Sequence, residues 1–227
     1  MNTKIADILC LLFVAATIGV AVFLYSSLPE QIPTHWNAAG EVDDYTARPL
    51  AVVLLPGMPV LAWVLMKVIP IISPKGFRTT EFGDVINVLQ LTLVGFLSLV
   101  AILVLLEARG INVYINNIVQ VGVGLLFLVL GNYMSKFRKN FFIGIRTPWT
   151  LASDEVWHRT HRLGGWLFML GGLFIIASGF LRVPPLVMVG VLVSIAIFLI
   201  AYSYVIYRRV EGFSDDPDDP ENDSVTD

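Results

Sequence analysis

The sequence has little charge, almost no cysteine and no recognisable catalytic motif. Asp, Glu, Lys and Arg make up 15% of the 227 residues, hydrophobic residues make up 56%, and the mean hydropathy is +0.75. A soluble domain usually carries about 25% charged residues, so this composition excludes an ordinary water-soluble protein. The one cysteine, Cys10, excludes an intramolecular disulfide.

The motifs of common enzymes are missing as well. The chain has no Ser-His-Asp or Cys-His arrangement, no phosphate-binding glycine loop and no His-Glu-x-x-His pair. We therefore expect a protein that is not an enzyme and needs no cofactor. We also expect no direct binding of nucleic acid.

Long apolar runs dominate the sequence instead. A helix needs roughly 20 apolar residues to cross about 30 Å of hydrocarbon. We predict an all-α, polytopic membrane helix bundle in residues 1–210, with six spans at about 8–25, 50–72, 85–106, 115–134, 163–181 and 184–207. Pro56 and Pro59 are expected to break the second span. Small residues four apart offer close helix contacts at three places: Ala15 and Gly19, Gly131 and Ser135, Gly190 and Ser194.

The distribution of charge orients this bundle. Lys and Arg collect in cytoplasmic loops. With the N-terminus inside, twelve of the fifteen cations lie on the inner side, and only Arg48, Arg109 and Arg182 lie outside. This predicts a plasma-membrane protein with both termini in the cytoplasm and Lys67 reaching the inner interface from its helix end. Residues 211–227 hold eight of the eighteen acids and no cation, which predicts a disordered acidic tail.

The loop at 26–49 lies outside in this topology and is long enough to meet a ligand. Its ligand-facing residues are predicted to be Pro33, His35, Trp36, Asn37, Gly40 and Asp43. His35, Asn37 and Asp43 offer the donor atoms for a cation, but hydrogen bonding within a turn explains them better.

The loop at 135–162 lies inside and is rich in aromatics and cations. Thr150 or Ser153 is placed to cap a short helix over 154–161. Trp149 and Trp157 are predicted to anchor the loop at headgroup level, and Arg146 is predicted to bind a partner carboxylate or helix end. Three residues on one face of the short helix are a weak candidate metal set that matches no complete ligand pattern, and solvated side chains explain them better: Asp154, His158 and His161.

Two segments carry a resemblance to a known family. Residues 140–151, NFFIGIRTPWTL, with Val156-Trp157, resemble the signature of the SdpI family of bacterial toxin-immunity and signalling membrane proteins. The segment LPEQIPTHWNAAGEVDDY is similar to an extracytoplasmic motif of unknown function often found near the N-terminus of these proteins. The acidic tail departs from the family pattern.

The resemblance implies a protein with partners on both sides of the lipid bilayer. It implies immunity to a secreted peptide toxin outside, and recruitment of a transcriptional repressor to the membrane inside. The partner-binding residues of the inner loop would be those of its signature: Asn140, Gly144, Arg146, Thr147, Pro148, Trp149, Thr150 and Trp157.

A transporter or channel for a small molecule or ion is the alternative. Transport sites are usually marked by ionisable residues or broken helices at mid-membrane. The polar candidates Asn87, Gln90 and Gln120 lie near the ends of their predicted spans, which argues against ion-coupled transport. A flux assay in proteoliposomes would distinguish transport from immunity.

Overall fold

A computed structural model describes residues 1–37, 39–74, 82–181 and 183–213. The predictions made for Lys75, Arg78, Arg182 and the acidic tail after Phe213 concern residues outside these ranges. Within the described ranges the chain forms seven α-helices, a short 3-10 helix at Tyr25–Ser27 and one β-hairpin. Their bounds are α1 Thr3–Leu24, β1 Gln31–Trp36, β2 Val42–Ala47, α2 Arg48–Ile72, α3 Gly83–Ala108, α4 Ile115–Met134, α5 Pro148–Ala152, α6 Asp154–Phe180 and α7 Pro185–Val210.

Six of the described α-helices, all except the short α5, are long and apolar enough to cross a membrane. The predicted all-α bundle with six spans is therefore confirmed. The chain crosses the bundle with each long helix, so the hairpin and the α3–α4 and α6–α7 connections lie at one end. The N-terminus and the segment between α4 and α6 lie at the other end. We call residues 135–153 the signature loop, and the two ends the hairpin end and the signature-loop end.

The fifth span begins earlier than the sequence indicated. The short helix predicted over 154–161 and the span predicted over 163–181 are one continuous helix, α6. Ser153 caps it, as its Oγ accepts a hydrogen bond from Val156 N at 3.3 Å, and no proline interrupts the next turns. At 1.5 Å per residue, the 27 residues of α6 extend about 40 Å. The charged first turns therefore project beyond the hydrocarbon.

Helix α2 is also continuous, from Arg48 to Ile72, through Pro56, Pro59 and Pro70. The prediction that Pro56 and Pro59 break it is wrong. Membrane helices tolerate proline where neighbouring helices and small local adjustments accommodate the freed backbone groups. Here Pro56 and Pro59 are buried within the bundle.

The segment between α1 and α2 was predicted to be a loop. It folds instead into an antiparallel hairpin. Gln31 pairs with Ala47 and Trp36 with Val42, with irregular register between Pro33 and Trp36. Ile32, fully buried, inserts into a core formed by α1, α2 and α3. This buried side chain attaches the hairpin to the bundle.

Glycines bring α4 and α6 into backbone contact. A Cβ on Gly131 would lie 2.6 Å from the carbonyl oxygen of Gly165, and a Cβ on Gly124 would lie 2.6 Å from that of Gly172. The small-residue pairs predicted from the sequence contain three glycines: Gly19, Gly131 and Gly190. Of these three, Gly131 makes such a backbone contact. Around Gly19 and Gly190 no atom of the described chain lies within 4 Å of a built Cβ.

Candidate functional site

The signature loop is organised by the carboxamide of Asn140, which is fully buried. Its Oδ1 accepts hydrogen bonds from the backbone N–H groups of Phe142 and Ile143, at 2.8 and 2.7 Å. Its Nδ2 donates to the carbonyl oxygens of Arg138, at 2.8 Å, and Ile143, at 3.0 Å. All of these bonds stay within the loop, so Asn140 shapes the loop and offers no atom to a partner.

His161 joins the loop to α6. Its Nε2 accepts a hydrogen bond from Ile145 N at 3.0 Å, and its Nδ1 lies 2.8 Å from the carbonyl oxygen of Trp157. The imidazole therefore carries its hydrogen on Nδ1 and uses both nitrogens. Gly144 has φ +114°, and a Cβ there would collide with His161 Nε2. Both the positive φ angle and the close approach of His161 therefore require a glycine at this position.

Two threonines fix the turn that follows Arg146. Thr147 Oγ1 accepts from Thr150 N at 3.1 Å, and Thr150 Oγ1 accepts from Thr147 N at 2.9 Å, which closes a capping box at the start of α5. Pro148 occupies the first position of this helix, where its missing N–H costs little. Thr147 Oγ1 also lies 3.0 Å from Ser203 Oγ of α7. The Thr-Pro-Trp-Thr string thus attaches the loop to α7.

The two tryptophans of the signature lie in different environments. Trp157 is 1% exposed, stacks on His161 with ring centroids 3.9 Å apart, and donates its indole N–H to Phe137 O at 2.8 Å. The prediction that Trp157 anchors the loop among headgroups is wrong, because the ring is enclosed by protein. Trp149 is half-buried, with its ring edge-on to Tyr204 at 5.1 Å.

Arg146 remains as the exposed cation of the signature string. One of its nitrogens, Nη1, donates to Phe141 O, and the side chain lines a groove of about 560 Å³ between the loop, α6 and α7. Gly144 and Pro148 are exposed beside it. The structure therefore brings the predicted signature residues together and leaves a small part of them, centred on Arg146, accessible to a partner.

The suggested metal set does not form a site. Both nitrogens of His161 are engaged with backbone groups, and Asp154 pairs with Lys139 at 2.7 Å. His158 is exposed. Within the described ranges, no three His, Cys, Asp or Glu side chains converge on a common point for a metal ion. The three residues do share one helix, but contacts within the protein already occupy the donor atoms of Asp154 and His161.

The hairpin uses its polar residues to shape its own turn. Asn37 Oδ1 accepts from the N–H groups of Ala39, at 2.9 Å, and Glu41, at 3.0 Å. His35 Nδ1 lies 2.5 Å from Asp43 Oδ1, in an exposed pair. These contacts agree with hydrogen bonding within a turn, the reading preferred from the sequence over cation binding.

A cavity of about 200 Å³ lies beneath the hairpin turn, between the turn and the ends of α3, α4 and α7. Three of the predicted ligand-facing residues line it: Trp36, Asn37 and Gly40. The remaining ones lie along the strands: Pro33 is opposite Tyr45 in the strand register, and the side chain of His35 contacts that of Asp43.

Amides at the start of α4 hold the hairpin end together. Asn116 Nδ2 donates to Gly40 O at 2.6 Å, and Asn117 Nδ2 donates to Gly179 O at 2.6 Å. Gln120 Nε2 donates to Val183 O at 3.2 Å. These contacts could not be predicted from the sequence, because the partners of the three amides lie more than 60 residues away along the chain.

An ion pair within the bundle was missed. Lys67 of α2, predicted to reach the inner interface from its helix end, lies 2.5 Å from Asp7 of α1. Asp7 Oδ1 also accepts from Gln90 Nε2 at 3.1 Å and from Trp63 Nε1 at 3.4 Å. The sequence contained a signal for this pair: Asp7 lies beside the first apolar run and Lys67 lies within the second. A charged residue at membrane depth needs a partner.

Six membrane-length helices with apolar, lipid-exposed faces define the class: this is a multi-pass protein of the cell membrane. Comparisons with known proteins narrow the class. Residues 136–203 match the SdpI/YfhL protein family, and residues 12–59 match a domain of unknown function, DUF1648. The match over residues 136–203 supports the assignment of the chain to the SdpI family.

One curated relative covers nearly the whole chain. The Immunity protein SdpI of Bacillus subtilis (strain 168) is 27% identical over 209 residues, which are 91% of this chain and 98% of that protein. No solved structure matches the chain. The two family matches contain most of the signature loop and the whole of the hairpin, the same segments that carried the resemblance in the sequence.

Proposed function

We propose that this protein protects the cell that makes it from a secreted peptide toxin. The observation that carries the proposal is the nearly end-to-end alignment with a protein named for immunity. The alignment covers 91% of this chain and 98% of the relative, so the likeness is not confined to one segment. The SdpI family is not a family of enzymes, so protection would come from binding and not from chemical destruction of the toxin.

The hairpin is the proposed place where the toxin is met. With both termini inside, as the cation distribution favours, the hairpin faces the exterior. Its exposed side carries acids at Glu41, Asp43 and Asp44 and the aromatic ring of Tyr45, which is 55% exposed. This surface suits a peptide with cationic and apolar residues.

A photo-crosslinking amino acid tests this assignment. Placed at Ala39, which is exposed in the hairpin turn, it should capture the cognate toxin on intact cells. Placed at Ala152, which is exposed at the opposite end, it should capture none. Capture at Ala152 and none at Ala39 would contradict the proposal.

A second function, signalling by holding a transcriptional repressor at the membrane, is favoured by Arg146. The polar side chains around it are satisfied within the protein, yet its guanidinium is exposed at the edge of a groove. A guanidinium can bind a carboxylate through two parallel hydrogen bonds, which a lysine cannot reproduce. We therefore propose Arg146 as the contact for the repressor.

The matched test compares Arg146→Lys with Arg138→Lys, since both arginines are exposed in the signature loop. A charge-assisted bond contributes about 1.5–3 kcal/mol, roughly ten- to hundredfold in affinity. Arg146→Lys should therefore reduce repressor recruitment by about that factor, and Arg138→Lys should leave it unchanged. Equal recruitment by both variants would remove the role of Arg146.

A further inference from the structure

An apolar groove of about 600 Å³ runs between α1 and α2 in the half of the membrane next to the hairpin. It is lined by Ile18, Ala21, Val22, Tyr25, Val52, Val53, Pro56, Gly57 and Val60. Each helix contributes a stretch of about eight residues, which rises about 12 Å. One leaflet of a bilayer has about 15 Å of hydrocarbon. The groove therefore occupies a single leaflet and does not cross the membrane.

Gly57 helps to keep the groove open. A Cβ built on this residue meets no atom of the described chain within 4 Å. The flanking side chains face away from the protein, as Val22 is 71% exposed and Val53 is 67% exposed. The groove thus opens sideways into the bilayer. It would hold an acyl chain at the depth that lipid acyl chains already occupy.

A cation lies at the mouth of the groove. The guanidinium carbon of Arg48 is 5.1 Å from the centre of the Tyr25 ring, and Nη1 donates to Leu28 O at 2.9 Å. The Nε of Arg48 is buried and has no hydrogen-bond partner in the described structure, and no described carboxylate lies within 4.0 Å of the group. The positive charge of Arg48 is therefore not paired with a carboxylate of the described protein.

We propose that this groove is a specific site for an anionic phospholipid. One acyl chain lies between α1 and α2, and the phosphodiester meets Arg48 and Tyr25 at headgroup level. A guanidinium suits a phosphate because its planar donors match two oxygens. A peptide segment is the less fitting occupant, since the groove opens along its length to lipid and presents its one charged group at the membrane surface.

The test measures lipid retained by the full-length protein purified from mixed micelles that contain equal phosphatidylglycerol and phosphatidylcholine with the same acyl chains. Native mass spectrometry counts each lipid. We expect phosphatidylglycerol to be retained about fivefold to tenfold over phosphatidylcholine, the range of one charge-assisted contact near a surface. Equal retention of the two lipids by the wild-type protein would overturn the proposal.

Two leucine variants form a matched pair for the groove. Gly57→Leu fills it and should abolish the retained lipid, whereas Gly190→Leu, on α7 and equally free of neighbours within 4 Å, should retain it. Loss in both variants, or in neither, would overturn the proposal. If the Gly57→Leu protein keeps its lipid but no longer captures toxin in the photo-crosslinking experiment, the groove binds a peptide instead.

Arg48 is tested by replacement with Gln and with Lys. Arg48→Gln should bring the two lipids to equal retention, and Arg48→Lys should keep a preference for phosphatidylglycerol because it keeps the charge. An unchanged preference in Arg48→Gln, with helical content equal to wild type, would contradict the role of the guanidinium. Lipid retention is measured without a toxin, so the lipid site and the immunity function fail independently.

Discussion

Asn140, Thr147 and Thr150 show how a distinctive sequence string can serve its own fold. Each forms hydrogen bonds with backbone groups of the same loop, and Thr147 also contacts Ser203 of α7. Polar groups buried at the edge of a membrane are costly unless they are hydrogen-bonded, so these residues are needed before any partner is considered. The family resemblance implied that all three bind a partner, because a pattern of residue types does not show which atoms their side chains contact.

The positive φ of Gly144 and its contact with His161 can be tested by substitution. Gly144→Ala should lower the free energy of unfolding by at least about 2 kcal/mol, since it adds both a left-handed backbone cost and a collision with His161. Gly110→Ala is the control, because Gly110 has φ +89° and open space around it, and it should cost about 1 kcal/mol. Thermal unfolding in detergent measures both. Equal losses would show that His161 is not in contact with residue 144.

Trp157 and Trp149 give the second prediction. Trp157→Phe removes the bond to Phe137 O and leaves a small void, so we expect a loss of about 2–3 kcal/mol. Trp149→Phe keeps a half-buried ring against Tyr204 and should cost less than about 1 kcal/mol. Denaturant unfolding followed by tryptophan fluorescence compares them. A larger loss in Trp149→Phe would contradict the burial seen in the structure.

At the scale of helices, α4 and α6 are held by glycines seven residues apart on each helix: Gly124 and Gly131, Gly165 and Gly172. In lipid there is little hydrophobic drive for helices to associate, so close backbone packing supplies the attraction. These contacts bring the backbones of α4 and α6 together, and the signature loop connects these two helices.

Gly131→Ala should disrupt this pair, with a loss of about 2 kcal/mol or more, because its methyl group would meet backbone that cannot rotate away. Gly190→Ala is the matched control on α7, where open space and better helix propensity predict a small gain, about 0.5–1 kcal/mol. Thermal unfolding of the two purified variants tests this. A stable Gly131→Ala protein would mean that α4 and α6 are further apart than described.

Hydropathy was sufficient to locate six spans because length and apolarity are imposed by the bilayer itself. The same signal failed at α6, where charged residues continue a helix into water, and at α2, where prolines lie within a helix supported by its neighbours. The hairpin was missed because Ile32 is its one fully buried side chain, and one residue gives no alternating pattern. Contacts between distant segments, such as Asp7 with Lys67, carry no periodic signal.

On the scale of the whole molecule, the two ends of the bundle have different chemistry. The hairpin end displays acids and the signature-loop end displays cations: of the twelve Lys and Arg residues that the structure describes, ten lie toward the signature-loop end. The proposed functions follow this division, with a toxin met at one end and a repressor at the other.

Cysteine labelling tests the orientation. An impermeant thiol reagent should label Ala39→Cys on intact cells and should label Ala152→Cys only after the membrane is opened. Both alanines are exposed, and the native Cys10 is fully buried, so the background is low. Ser153 is unsuitable because it is buried and caps α6. Labelling of Ala152→Cys alone on intact cells would reverse the proposed topology.

The central claim is immunity, and survival of toxin-treated cells measures it most directly. Sensitive cells that express the chain should require several-fold more cognate toxin for half-maximal killing than cells with an empty vector. Gly40→Val should lose this protection, because its side chain would displace Asn116 and release the hairpin turn, whereas Ala39→Val should keep it. If cells with the wild-type chain, at confirmed membrane abundance, die at the same toxin concentration as the vector control, the protein is not an immunity protein for that toxin.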